Sequence, residues 1–331
     1  MFVSRETEII IKLLQIPGIG NRIAEKIIQN LLDMEGGCDD DLSLRDFINM
    51  CSCKGIIKLN KKITGEHIEI AIEKYKEIID KSSALGIKII SKFDNNFPLL
   101  LKKLVDSNGK DISPIILNYK GDIDKLNKCQ KKSVAIVGTR KPTQEGVEAC
   151  RYYSQYFAER GYNIVSGLAL GCDTVAHQGA LSVHGMTTAI LAHGLQMISP
   201  KANELLSRQI LDNGGLLLSE YFVGSPAYST YFVERDRLQA GLSFATIVIQ
   251  AGIKSGTMHA ARTAINNNRI LACVRYKDEV LWNSEKLQGN NLLINQGAYN
   301  LRKVEDFESF IEAGGKMMYV KYEPELKFKM I

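Results

Sequence analysis

The stretch VAIVGTRKPTQEG, residues 134–146, runs from an apolar strand candidate into Gly138, Thr139 and Arg140. Glycine lets backbone approach a ligand closely, and an arginine can hold oxyanion oxygens in a fork. The chemistry this turn offers is anion binding. It is not a self-sufficient phosphate loop, because the three glycines of a dinucleotide loop and the Gly-Lys-Thr of a triphosphate loop are both missing. Other turns share its character. Ser166 and Gly167 end one apolar run, and His193 and Gly194 follow another, with Pro200, Lys201 and Asn203 soon after. Ser219 and Glu220 end a fourth run, and Gln250 leads into Ser255, Gly256 and Thr257. If these runs are strands of one sheet, several helix N-termini converge at one edge, each with about half a unit of positive charge. Arg140 and Lys201 add full charges there.

The elements that position these turns follow from periodicity. Val134–Val137, Asn163–Ser166, Thr187–Leu191, Leu216–Ser219, Ala245–Ile249 and Ile270–Val274 are near-continuous apolar runs, separated by stretches of helical character. That alternation predicts an α/β fold, a doubly wound, Rossmann-like, mostly parallel sheet covered on both faces, with ligands beyond the carboxyl ends of its strands. Residues 1–85 instead read as a small all-α accessory domain. Ile68, Ile72, Tyr75, Ile78 and Ile79 fall on one helical face. The expected division is 1–85 helical, 86–315 extended Rossmann-like with its core from about 133, and 316–331 a short tail. Within the second part, residues 86–130 read as an attached extension, and the polar NKCQKK joint at 127–132 precedes the main sheet.

Bulk properties exclude several classes. The chain has 331 residues, 45% hydrophobic and 24% charged, with no apolar run near the roughly 18 residues of a membrane helix. Its first residues lack a secretory signal pattern, so the expected location is the cytoplasm. Seven cysteines without a Cys-x-x-Cys pair read as reduced thiols, and no metal or cofactor is expected. A net charge of +5 permits a nucleic-acid partner without requiring one. Asp173 and His177 lie one helical turn apart, but no serine stands on a strained elbow beside them. They read as a helix cap and a loop support, and the protein is not expected to be an enzyme.

The motifs SVAIVGTRKPTQEG, YNIVSGLALGCDTVAHQGAL, TTAILAHGLQMISPKANELL, GGLLLSEYFVGSP, VERDRLQAGLSFATIVIQAGIKSGTMHAARTA and QGNNLLINQGA, in this order, resemble the DprA family of DNA-processing proteins. The resemblance covers Phe97 to Ala298. It implies an extended Rossmann fold, single-stranded DNA held in a basic pocket, homodimerisation, and delivery of the strand to a RecA-type recombinase in transformation or recombination. It implies no catalysis. Position by position, Gly138, Thr139, Arg140, Ser166, Gly167, Lys201, Asn203, Arg235, Arg237, Ser255, Gly256 and Thr257 match the family's DNA-contact motifs. The chain departs from the family at Leu170, Asp236, Gln250, Ser199, Arg275 and Tyr276. Leu170 replaces a usual arginine, and Asp236 brings a charge that repels a nearby phosphate.

The segment LLQIPGIGNRIAEKII resembles a helix-hairpin-helix, whose turn offers backbone N–H groups to a phosphate without reading sequence. Gly18, Gly20 and Arg22 are the candidate residues of this secondary DNA contact. Related phosphoribohydrolases share the sheet, but the glutamate they carry after a Gly-Thr pair is absent, since Met258, His259 and Ala260 follow Thr257. The alternative that stays open is a Rossmann-like sensor of a nucleotide-derived small ligand.

Overall fold

The computed structural model describes residues 3–33, 44–58, 63–129, 132–315 and 317. The tail expected at 316–331 lies outside the described residues except for Met317. Four helices come first: α1 (Arg5–Leu14), α2 (Asn21–Asp33), α3 (Leu44–Cys53) and α4 (Gly65–Ala84). Ser4 caps α1 by accepting a hydrogen bond from the Thr7 N–H. Apolar residues of α1 and α2 recur at helical spacing, so Ile10, Ile11, Ala24, Ile27 and Ile28 meet in one core. Ile19 in the α1–α2 turn is buried in the same core.

The rest alternates strand and helix. In chain order it contains β1 (Lys88–Ser91), β2 (Ile116–Gly121), α5 (Ile123–Lys128), β3 (Ser133–Val137), α6 (Gln144–Glu159), β4 (Asn163–Ser166) and α7 (Cys172–Ser182). Then come β5 (Thr187–Leu191), α8 (Glu204–Asp212), β6 (Leu216–Ser219), α9 (Ser229–Gly241), β7 (Ala245–Val248) and α10 (Thr257–Asn266). The chain continues through β8 (Ile270–Val274), α11 (Glu279–Trp282), α12 (Gln288–Asn295), β9 (Tyr299–Leu301) and α13 (Val304–Glu312). Among the described residues, no helix is long and apolar enough to cross a membrane.

The strands form one nine-stranded sheet in the order β1-β2-β6-β5-β4-β3-β7-β8-β9. From β6 to β9 all neighbours are parallel, whereas β2 pairs antiparallel with β6 and β1 antiparallel with β2. Side chains alternate between the faces. Val134 and Ile136 enter one core with Phe157 of α6, and Ala135 and Val137 enter the other with Leu238 of α9. This is the doubly wound, mostly parallel α/β sheet, with the all-α region ahead of it.

Two features differ from the sequence reading. The extension at 86–130 supplies two strands of the main sheet and does not stand apart from it. Strand β9 was not expected, because three residues with mixed burial carry no strand periodicity. The helical region is also tied to the sheet. Ile89, Ile115 and Ile116 share its core. Lys92 Nζ lies 2.6 Å from Glu25 of α2 and 3.2 Å from Asp111, and Thr7 donates to Asp94 at 2.6 Å.

Candidate functional site

The winding of the sheet reverses between β3 and β7. From β3 the chain proceeds outward through β4, β5 and β6, and then returns to the other side of β3 for β7 and β8. A crevice forms at such a reversal, outside the carboxyl ends of the strands. Here it is a cavity of about 650 Å³. The β3 turn contributes Gly138, Thr139 and Arg140 to its lining. Ser255, Gly256 and Thr257 contribute the start of α10, so the positive end of that helix dipole faces the cavity.

Helix α9 forms the opposite wall. Ser229, Phe232, Asp236 and Gln239 recur every three or four residues and all line the cavity. Arg140 is exposed, with its guanidinium 5.2 Å from the Phe232 ring centre. Arg235 is only 3% exposed. Its Nη1 lies 3.7 Å from Asp173 and its Nε 3.5 Å from Asp236. Neither nitrogen makes a hydrogen bond among the described residues, and the buried Oε1 of Gln239 and Oγ of Ser255 also lack a partner. Burial pushes the Asp236 carboxyl up to about 6, against the pull of Arg235. Burial likewise raises Asp173, again opposed by Arg235.

The remaining expected residues do not line this cavity. Ser166 is fully buried and donates its hydroxyl to the Ile136 carbonyl. Gly167 leaves room for Arg235, since a Cβ there would stand 1.1 Å from Nη1. Arg237 forms a two-pronged pair with Glu220, both bonds at 2.7 Å. Lys201 is exposed on a short turn before α8 and does not line the cavity. Two residues on, Asn203 is buried, and its amide donates to the Leu168 carbonyl and the Thr174 hydroxyl, each at 2.8 Å. Gly18, Gly20 and Arg22 are exposed at the α1–α2 turn, away from this lining.

The two rejected catalytic candidates have structural partners. Asp173 stands in the first turn of α7 and accepts from the Ala169 N–H, while the cap position itself is Gly171. His177 is fully buried and bonds Thr187 on β5, and burial holds its imidazole down to about 3, hence neutral. Sequence reasoning missed Gln239, although its spacing from Phe232 places it on the same face. It also took Gln250 as a departure alone. Gln250 accepts from the Thr143 N–H at 2.9 Å and donates to the Thr143 hydroxyl at 2.8 Å, and its carbonyl accepts from Thr139. This side chain fastens the Arg140 turn to the end of β7.

The loop at 167–171 is built against that same turn. Gly171 has φ +80°, and a Cβ on it would fall 2.6 Å from the backbone of Thr139 and Arg140. Gly171→Ala is therefore expected to destabilise the fold by about 3 kcal/mol or more, combining backbone strain with a backbone clash. Urea unfolding of the variant and the parent measures this.

Residues 88–312 match the family described as DNA recombination-mediator protein A. The chain belongs to this family, the DprA family. Protein Smf of Synechocystis is 41% identical over 213 residues, covering 64% of this chain and 51% of that protein. The DNA processing protein DprA of Streptococcus pneumoniae is 30% identical over 245 residues, covering 73% of this chain and 79% of that protein. The chain spans about half the length of the first curated relatives, 51% for Synechocystis Smf and 41% for Smf of Escherichia coli. The X-ray structure of Streptococcus pneumoniae DprA superposes with a TM-score of 0.71 at 27% identity, covering 93% of this chain and 98% of that one. A Helicobacter pylori DprA structure, described for its single-stranded DNA binding mode, gives a TM-score of 0.59 at 29% identity, covering 69% and 97%. Membership in the DprA family accounts for the doubly wound sheet and for the order of motifs around the cavity.

Proposed function

We propose that this chain binds single-stranded DNA across the mouth of the β3–β7 cavity, with Arg140 holding a backbone phosphate. The observation that carries this reading is the cavity itself. An exposed guanidinium and a helix N-terminus stand over buried polar groups that lack partners, in a DprA-family chain whose Helicobacter pylori relative is described as binding single-stranded DNA. Lys201 and the α1–α2 turn with Gly18, Gly20 and Arg22 serve as further backbone contacts. Ser166, Gly167, Asn203, Arg235 and Arg237 act by shaping the site. The reading is binding without catalysis, by a homodimer in the cytoplasm whose helical residues 1–85 act as an accessory domain. Handing the strand to a RecA-type recombinase is the role that the family description, recombination mediator, supports.

A second reading has one observation in its favour. A cavity of about 650 Å³ with unpartnered buried donors and acceptors suits a single nucleotide-sized ligand. Fluorescence anisotropy separates the two readings. A strand binder gains affinity with oligothymidylate length and loses it with salt, at a log–log slope of about −0.7 per neutralised phosphate. Saturable binding of mononucleotides, with no dependence on strand length, contradicts the single-strand reading and supports the sensor.

A further inference from the structure

The segment between β6 and α9, residues 220–228, reaches several parts of the molecule at once. At its start, Glu220 holds Arg237. Tyr221 stacks on Tyr231 with ring centres 3.9 Å apart and donates its hydroxyl to Glu234 at 2.9 Å. These contacts fasten it to α9. In the middle, Phe222 and Val223 pack against the core that the N-terminal helices share with Ile89, Ile115 and Ile116 of the sheet edge. Val223 also packs against the cluster of Leu168, Leu195 and Leu206. Further on, the Ser225 carbonyl accepts from the Gly194 N–H at 3.0 Å and from the Gln196 side chain at 3.2 Å, gripping the loop that leads to Lys201. At its end, Ala227 lines the cavity itself, as does Ser229, the first residue of α9.

We infer that Phe222 is a positioning residue for strand binding: it anchors the cavity's α9-side wall to the core shared by the N-terminal helices and the sheet edge. The inference rests on the single-strand reading of the cavity. Phe222 carries no charge and is not among the cavity-lining residues. Its part is to fix where Ala227, Ser229 and the first turn of α9 stand. That turn carries Phe232, over which Arg140 is held. Tyr221 and Glu220 fix the same segment to α9, but neither ties α9 to the helices. Phe222 and Val223 supply that tie, because their side chains are the part of this segment that packs on the core shared by the helices with Ile89, Ile115 and Ile116. Coupling of this kind is reciprocal, so a strand in the cavity also steadies the helices through the same contact.

The test uses the full chain, a fluorescent oligothymidylate, and the variants F222A and F222L. Small misplacements of binding groups have large effects. F222A is expected to weaken binding by about five- to ten-fold at one salt concentration, with an unchanged salt slope because no phosphate contact is removed. F222L, which refills the apolar site, is expected to restore most of the affinity. A second measurement separates positioning from general loosening. Saturating oligothymidylate is expected to slow amide hydrogen exchange in α1 and α2 of the parent, and to leave it unchanged in F222A. Equal affinity of F222A and the parent overturns the inference, as does α1–α2 protection that persists in F222A. A parent that fails to bind the strand defeats the single-strand reading and this inference together. A parent that binds beside an equally binding F222A defeats this inference alone.

Discussion

Arg140→Glu is expected to lower affinity for oligothymidylate by about ten-fold or more in low salt and to flatten the salt slope by about 0.7. The side chain is exposed at the mouth of the cavity, and its named contact is the face of Phe232. It belongs to none of the ion pairs found among the described residues. Its charge favours the buried Asp236 carboxylate, but Arg235 remains as that group's ion-pair partner, so the melting temperature is expected to fall by only a few degrees. Lys201→Glu is expected to have the smaller effect, because Lys201 lies outside the cavity lining. If both variants bind the strand as tightly as the parent, the cavity is not the binding site.

Asp236→Asn is the second large effect, and it has a pH signature. The cavity floor holds one guanidinium, Arg235, against two carboxylates, Asp173 and Asp236. With both acids ionised, the floor carries one net negative charge beside the site proposed for phosphate. Burial raises Asp236 from 3.8 to about 6. Because the folded value lies above the unfolded one, the folded chain takes up a proton between pH 4 and 6. The stabilising contribution is complete below about pH 4 and is lost as pH rises through about 6. Asparagine removes that loss and can still accept the hydrogen bond that Gln239 donates at 2.9 Å. The variant is expected to gain about 2 kcal/mol over the parent at pH 8 and nothing at pH 4, as read from urea unfolding at the two values. Asp173 is raised in the same direction, so both proteins keep some pH dependence. Strand affinity is expected to follow. At pH 8 the variant binds about five-fold more tightly than the parent, and near pH 5 the two converge. A parent whose affinity is flat from pH 8 to about 5 contradicts this placement of Asp236.

Much of the sheet was legible because buried parallel strands leave near-continuous apolar runs, and β3 to β8 each carry one. The place of the site was legible for a related reason: glycine and hydroxyl residues collect at the strand ends, and the winding rule puts those ends together. What pairs across distance was not legible. Arg235 matches a DNA-contact motif of the family, yet it is buried close to Asp173, far earlier in the chain, and against Gly167. Ser166 and Arg237 are likewise taken by partners that sequence spacing does not reveal. Strands β1 and β2 read as an extension because they join the sheet through the pairing of β2 with β6, segments about a hundred residues apart. The role of Phe222 was hidden in an aromatic run whose members turn toward different neighbours.

Photocrosslinking tests whether single-stranded DNA lies across the mouth of the β3–β7 cavity. An oligonucleotide carrying iodo-deoxyuridine is bound to the full chain, irradiated, and the attached peptides are mapped by mass spectrometry. Attachment is expected within residues 138–140 and on Phe232 or Tyr228 at the start of α9, suppressed by Arg140→Glu. Attachment confined to the α1–α2 turn, or to surfaces away from the β3–β7 cavity, would contradict that placement.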